Sequence, residues 1–174
     1  MKTGNTTFDI YSGESPPTNR NPNWGCGGTF RGMFGECSDG KVIAMRDCTD
    51  GASNTLLVGE NSPNMNGSLL WVNGDGTYAS TVIPLNWKSS LKDGDRDPAD
   101  GSTCDISTLN NFTKALHCWR NQTVNYGFKS WHPGGANFAT SDGSVKFIKQ
   151  SINPRTYNAL GTRAAGEVIS ADAL

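Results

Sequence analysis

A histidine and an aspartate, His132 and Asp142, are separated by nine residues, and Gly143 follows the aspartate directly. An imidazole and a carboxylate in one short segment suit proton transfer, metal ligation or a hydrogen-bonded latch. Pro133 disfavours helical geometry at His132 and calls for extended chain leading into a turn. If the segment between them folds back as a hairpin, the two side chains meet and hold it in register. The latch is the favoured reading, because buried His and Asp usually satisfy neighbouring polar groups. A catalytic dyad also needs a nucleophile, which sequence alone does not place.

Other clusters carry oxygen or sulfur ligands. Asp93, Asp95, Asp97 and Asp100 fall at spacings used by calcium loops, which makes calcium the candidate ion. The EF-hand pattern fails at Pro98, where glycine is required, and at Cys104, where a bidentate glutamate belongs. A solvated acidic turn is the simpler expectation. Asp50-Gly51-Ala52-Ser53-Asn54-Thr55 is a second polar turn, able to cap its own backbone or to present oxygens to a cation. Capping is the simpler role. Among five cysteines, Cys37 with Cys48 and Cys104 with Cys118 are 11 and 14 residues apart, reasonable disulfide loops that leave Cys26 over. Five buried thiols are the alternative. With no C-x-x-C pair and only two histidines, the chain argues against a closed zinc site. Five tryptophans (24, 71, 87, 119 and 131) raise ring stacking on carbohydrate, against their commoner role as core.

Short strands must position these groups. The pattern predicts strands over residues 41–46, 54–58, 68–72 and 78–85, the last two joined by the Asn73-Gly74-Asp75-Gly76 hairpin turn. A further strand is expected over 125–131. Asp142-Gly143 then signals a hairpin between strands 136–140 and 144–149, with Phe138, Val145 and Phe147 as core candidates. Asn153 and Pro154 supply an N-cap and a first helical position for a two-turn helix over 155–160, with Gly161 closing it. Residues 166–170 suit a final edge strand. Residues 1–29 are an irregular lead-in, and 88–111 form a long polar loop. The expected fold class is α+β and mostly β: an antiparallel sheet with long loops and short helices, one domain over 30–174.

The 174 residues suit one domain, 35% of them apolar, with 21 glycines besides. Only 18% are charged, so the surface relies on Asn, Ser, Thr and Gly, the look of a loop-rich extracytoplasmic protein. A net charge of −1 without a basic stripe argues against nucleic acid as a partner. The longest apolar runs, 42–45 and 69–72, are far below the roughly 20 residues of a membrane span, and the first residues carry no signal-peptide pattern.

Two ordered stretches are more specific. One is Arg46-Asp-Cys-Thr-Asp-Gly-Ala-Ser-Asn-Thr-Leu-Leu-Val-Gly-Glu60; the other is Ser130-Trp-His-Pro-Gly-Gly-Ala-Asn-Phe-Ala-Thr-Ser-Asp-Gly-Ser-Val-Lys-Phe-Ile148. Together they resemble the planctomycete DUF1559 family, whose ending carries the prepilin-processing-associated H-X9-DG motif. The tail from Ser151 to Ser170 is similar to the same family's ending. The resemblance covers about residues 30–65 and 126–174, with a variable middle. It marks Asp50, Gly51, Ser53, Asn54, Thr55, Glu60, His132, Asp142 and Gly143 as motif residues.

Members of that family usually begin with a prepilin leader and one long hydrophobic helix, so this chain looks like the globular C-terminal part. The resemblance implies a pilin-like domain outside the cytoplasm. Its expected role is non-enzymatic: assembly in a surface filament or a type II secretion-like apparatus, with other pilin-like or cell-surface proteins as partners. Pseudopilins often carry calcium in a loop, which is the analogy for an ion at the 88–111 loop. The rival readings are a cell-surface carbohydrate- or solute-binding module and, more weakly, a metal-dependent hydrolase using His132 and Asp142.

Overall fold

Local hydrogen bonding decides where this chain is strand and where it is turn. The computed structural model describes residues 32–34, 42–62, 79–105, 117–119, 127–167 and 169. Within them three strands form one antiparallel sheet in the order β1 (Leu56–Gly59), β2 (Gly135–Thr140), β3 (Val145–Lys149). One helix, α1 (Pro154–Leu160), follows, and two 3-10 turns, Met45–Asp47 and Ala52–Asn54, precede the sheet. The fold is therefore α+β and mostly β.

The β2–β3 hairpin turns through Ser141, Asp142 and Gly143. Gly143 N–H bonds to Thr140 C=O at 2.9 Å, and Gly143 takes φ 86°, a value that favours glycine. One face of the sheet holds Leu56, Ala136, Phe138 and Ile148, which pack with Leu85 and with Tyr157 and Leu160 of α1. Phe138 lies at the centre, edge-on to Phe128 at 4.8 Å and to Tyr157 at 6.1 Å between ring centroids. Each large apolar side chain buried there contributes about 1.5–3 kcal/mol. Asn153 caps α1 by accepting Arg155 N–H at 2.9 Å, with Pro154 in the first turn.

Tyr157 Oη is buried and has no hydrogen-bond partner among the described residues, and burial pushes its pKa up. Tyr157→Phe is accordingly expected to leave the melting temperature unchanged or to add up to about 1 kcal/mol of stability. A loss of that size in thermal melts would show that the hydroxyl is bonded.

Four expected strands are corrected. Over 41–46, the described residues are irregular up to the 3-10 turn, because Asp47 Oδ2 takes Ala44 N–H (2.8 Å) and Asp47 N–H returns to Ala44 C=O (2.9 Å). Over 78–85, residues 79–85 form turns with a single bridge, Ser80 to Gly127, and Ser80 Oγ takes Val82 N–H. Over 125–131, Ser130 N–H goes to the Asn86 side chain (2.8 Å) and Lys129 N–H to Glu60 C=O (3.2 Å), so no regular ladder forms among the described residues. Of the expected edge strand at 166–170, the described residues 166, 167 and 169 are irregular, and Gly166 N–H, like that of Ala165, bonds to the Asp50 carboxylate. The 54–58 strand begins later, at Leu56. Residues 1–29, 68–72 and the Asn73–Gly76 hairpin lie outside the described residues. Of the core candidates, Phe138 is buried while Val145 and Phe147 face solvent.

Cys104 and Cys118 form a disulfide that joins the 88–105 loop to residues 117–119. The Cys37–Cys48 pairing does not form: Cys48 is a buried free thiol aimed at Thr55 Oγ1, 3.0 Å away. Cys26 and Cys37 lie outside the described residues.

Candidate functional site

A β-bulge builds the site. Leu56 pairs with Thr140, yet Val58 pairs with Ala139, so Leu57 is the extra residue. An unbroken strand would place Leu56, Val58 and Glu60 on one face. The bulge instead leaves Leu56 in the core and turns Val58 outward, with Glu60 beyond Gly59 on the open side beside Asn137. Gly59 is required at the crossing, since a Cβ there would drive into the Phe138 ring and lie 2.7 Å from that of Phe128.

Four donors converge on the Glu60 carboxylate. Oε2 accepts Ser130 Oγ–H (2.6 Å), Asn137 N–H (2.9 Å) and His132 Nδ1 (3.0 Å); Oε1 accepts Asn137 Nδ2 (3.1 Å). Burial works to raise the Glu60 pKa, but the bonds from Ser130, the Asn137 backbone and side chain, and His132 outweigh it and lower it to about 2. Ser130 Oγ in turn accepts His132 N–H at 3.0 Å. Ser130 N–H is held by Asn86 Oδ1, whose side-chain amide also reaches Gln150 Oε1 at 3.3 Å. Asn86 sits at φ 61°, a left-handed position that asparagine tolerates better than most residues.

The geometry departs from that of a nucleophilic triad. In a nucleophilic triad the serine faces one imidazole nitrogen and the carboxylate the other. Here Ser130 and Glu60 both lie against Nδ1, and Ser130 gives its proton to the carboxylate. His132 Nε2 makes no bond among the described residues, on a side chain more than half exposed.

His132 and Asp142 do not meet. The imidazole is bonded before β2 begins, whereas Asp142 sits in the turn after β2 ends. Asp142 Oδ1 accepts the Thr140 hydroxyl, Ser144 N–H (2.9 Å) and the Ser144 hydroxyl (2.8 Å). The Thr140 bond leads the lowering of its pKa to about 2. The two halves of the motif therefore secure opposite ends of one strand.

The Asp50–Thr55 turn is committed to its own chain. Asp50 holds the tail, Gly51 opens the 3-10 turn at φ 97°, and Asn54 Nδ2 reaches Asp50 C=O at 3.4 Å. Ser53 C=O takes Lys146 Nζ (2.9 Å), and buried Thr55 donates to Gly51 or Thr162 C=O (3.2 Å each).

The acidic loop is likewise bonded to its own chain. Asp95 Oδ2 takes Lys92 N–H, Asp100 Oδ1 takes Ser102 N–H, and Asp97 turns inward. No group of three or more His, Cys, Asp or Glu side chains gathers among the described residues, Asp93 included. Asp97 accepts Ala99 N–H (2.9 Å), His117 N–H (3.1 Å) and His117 Nδ1 (2.9 Å). Burial opposes its ionisation, yet these bonds and the His117 charge lower its pKa. The His117 ring stacks on Trp87 at 4.8 Å.

Ser130 and Asn137, and His117 opposite Asp97, were not singled out in the sequence. The available signal is that residues two apart in extended chain point to one side, which sends Ser130 and His132 together. Lys129, between Phe128 and Ser130, is buried, bonds Ser89 Oγ at 3.0 Å, and has its pKa lowered by burial to about 8.

The Glu60 cluster makes an acid-side prediction. Its carboxylate titrates near 4.5 when unfolded and near 2 when folded, so its stabilisation is complete above about pH 4.5 and lost as pH falls toward 2. Melting temperatures between pH 6 and 2 should fall more steeply for wild type than for Glu60→Gln; parallel curves would remove Glu60 from acid sensitivity.

No helix of the described residues is long and apolar enough to cross a membrane. No curated protein and no solved structure matches the chain. A family model described as "Protein of unknown function (DUF1559)" matches residues 2–155. That span takes in the lead-in and the middle, which the two motifs left out, and stops within α1, short of most of the tail. With the Glu60 and His132 segments both inside a match over most of its length, the chain belongs to the DUF1559 family.

Proposed function

We propose that this domain is a non-enzymatic, extracytoplasmic assembly unit, pseudopilin-like in role, working in a surface filament or a type II secretion-like apparatus. The observation that carries the reading is the open face of the sheet. Val58, Ala139 and Val145 form one cross-strand row, with Phe147 beside it. Val58, Val145 and Phe147 are 53%, 69% and 44% exposed. Neighbouring apolar side chains left open on a sheet suit protein contact better than solvent. The hydrogen-bonded Glu60 cluster supports the same reading, because its serine lacks a base and its carboxylate is saturated with donors.

Producing cells sheared and fractionated should release the protein with surface assemblies, accessible to protease on intact cells. Retention inside the cell, or recovery only as free monomer, overturns the reading. The alternative, a carbohydrate- or solute-binding module, is favoured by Trp131: its indole is 72% exposed although both neighbours are clamped. Calorimetric titration with soluble oligosaccharides, repeated on Trp131→Ala, decides that alternative.

A further inference from the structure

The hairpin's bonding pattern fixes which backbone groups β3 offers. Thr140 N–H bonds to Ser144 C=O and Gln150 N–H to Gly134 C=O, both at 2.8 Å, and antiparallel pairing alternates between these ends. Lys146 and Ile148 therefore turn their N–H and C=O toward β2. Val145, Phe147 and Lys149 turn theirs away. Among the described residues β3 is a terminal strand, and nothing bonds the outward groups of Val145 or Phe147; Lys149 C=O alone is taken, by Ile152 N–H at 3.0 Å. The same three residues carry exposed side chains.

Proteins usually blunt such an edge with lysines, proline or a bulge. β3 has no proline, and its pairing with β2 runs without a shift. Lys146 is drawn to the far side by Ser53 C=O, leaving Lys149 as the strand's one free-standing charge. The opposite terminal strand, β1, is blunted by the bulge at Leu57. Among the described residues the less guarded edge is thus that of β3, with Lys149 as its single guard.

We propose that β3 pairs antiparallel with β3 of a second copy of this chain, about a two-fold axis at Phe147. Phe147 is the middle one of the three outward-facing residues, so an axis there lets each edge satisfy its mate. Phe147 then meets the second copy's Phe147 through two N–H···O=C bonds. Each Lys149 N–H reaches the second copy's Val145 C=O, making four bonds that leave Lys149 C=O with Ile152. The register sets Lys149 opposite the second copy's Val145, where its aliphatic stem covers the valine and the two ammonium groups stay apart. The rows Val58–Ala139–Val145 of the two copies then lie to either side of the Phe147 pair on one open face of a six-stranded sheet. So small a contact is weak and concentration-dependent.

The inference deepens the assembly reading by naming a partner, and rests on it only for the biological use of the contact. Sedimentation of the whole chain up to about 0.3 mM covers the weak range. It should show reversible dimers, and hydrogen exchange at the Phe147 amide should slow with concentration. Val145→Lys sets one lysine against Lys149 at each of the two symmetric contacts and should weaken the dimer about tenfold. Val145→Lys with Lys149→Glu should restore it, an outcome that altered folding does not produce. Monomer at every concentration overturns the proposal, as does a dimer that Val145→Lys leaves unchanged. A dimer in solution with no surface assembly in cells would remove the assembly reading and leave this one standing.

Discussion

Gly135→Ala is expected to cost about 3 kcal/mol or more. Gly135 opens β2 opposite Lys149, and the Phe147 ring lies across it. A Cβ there would lie 2.8 Å from that ring and closer still to Ile148 C=O. A ring can rotate, but Ile148 C=O belongs to the strand itself, so relief requires parting β2 from β3 at the start of the hairpin. The neighbouring Gly134 makes the control. It takes φ 80° with open space around its Cβ position, so Gly134→Ala should cost only the backbone strain of about 1–2 kcal/mol. Denaturant titrations of the two variants check the order. Equal losses would mean that the strands part at little cost.

Glu60→Ala should cost about 3 kcal/mol and loosen residues 130–137 together. Hydrogen bonds to an ionised group contribute about 1.5–3 kcal/mol each, but this carboxylate is partly exposed, so water replaces some of what is lost. All four partners are donors, and Glu60→Gln is therefore no rescue: its amide N–H₂ must confront one of them. The informative readout is local. In wild type the His132 Nδ1 proton is held between Glu60 and Ser130, and its resonance should vanish in Glu60→Ala while core amides such as Phe138 stay protected. A full-strength Nδ1 signal in the variant would show that Ser130 alone orients the ring.

The hairpin and helix were legible because their signals are short-range. Asp142-Gly143 specifies a turn whatever surrounds it, and Asn153-Pro154 starts a helix through bonds made within two residues. The misread strands share one cause. Around residues 44, 82 and 130, side chains of Asp47, Ser80 and Asn86 take backbone N–H groups that a ladder would need, and apolar patterning is blind to such competition. The Glu60 cluster was hidden for another reason. The two motifs are visible separately, but their meeting depends on one extra residue at Leu57 and on partners 70 and more positions away. Val145 and Phe147 show the reverse error: a period of two identifies a sheet face, not whether that face is covered.

The placement of β1 has a consequence for how the chain is made. Its partner lies so far along the sequence that Glu60 waits for Asn137, 77 residues later, before its carboxylate is bonded. A ribosome has added more than 70 residues after β1 before β1 can pair, whereas β2 and β3 can zip within moments of each other. The β2–β3 hairpin is therefore the template and β1 the latecomer in structure, though ahead of both in synthesis. A nascent chain halted before the Asp142 turn would carry β1 with nothing to pair against, a species for chaperones and proteases to handle.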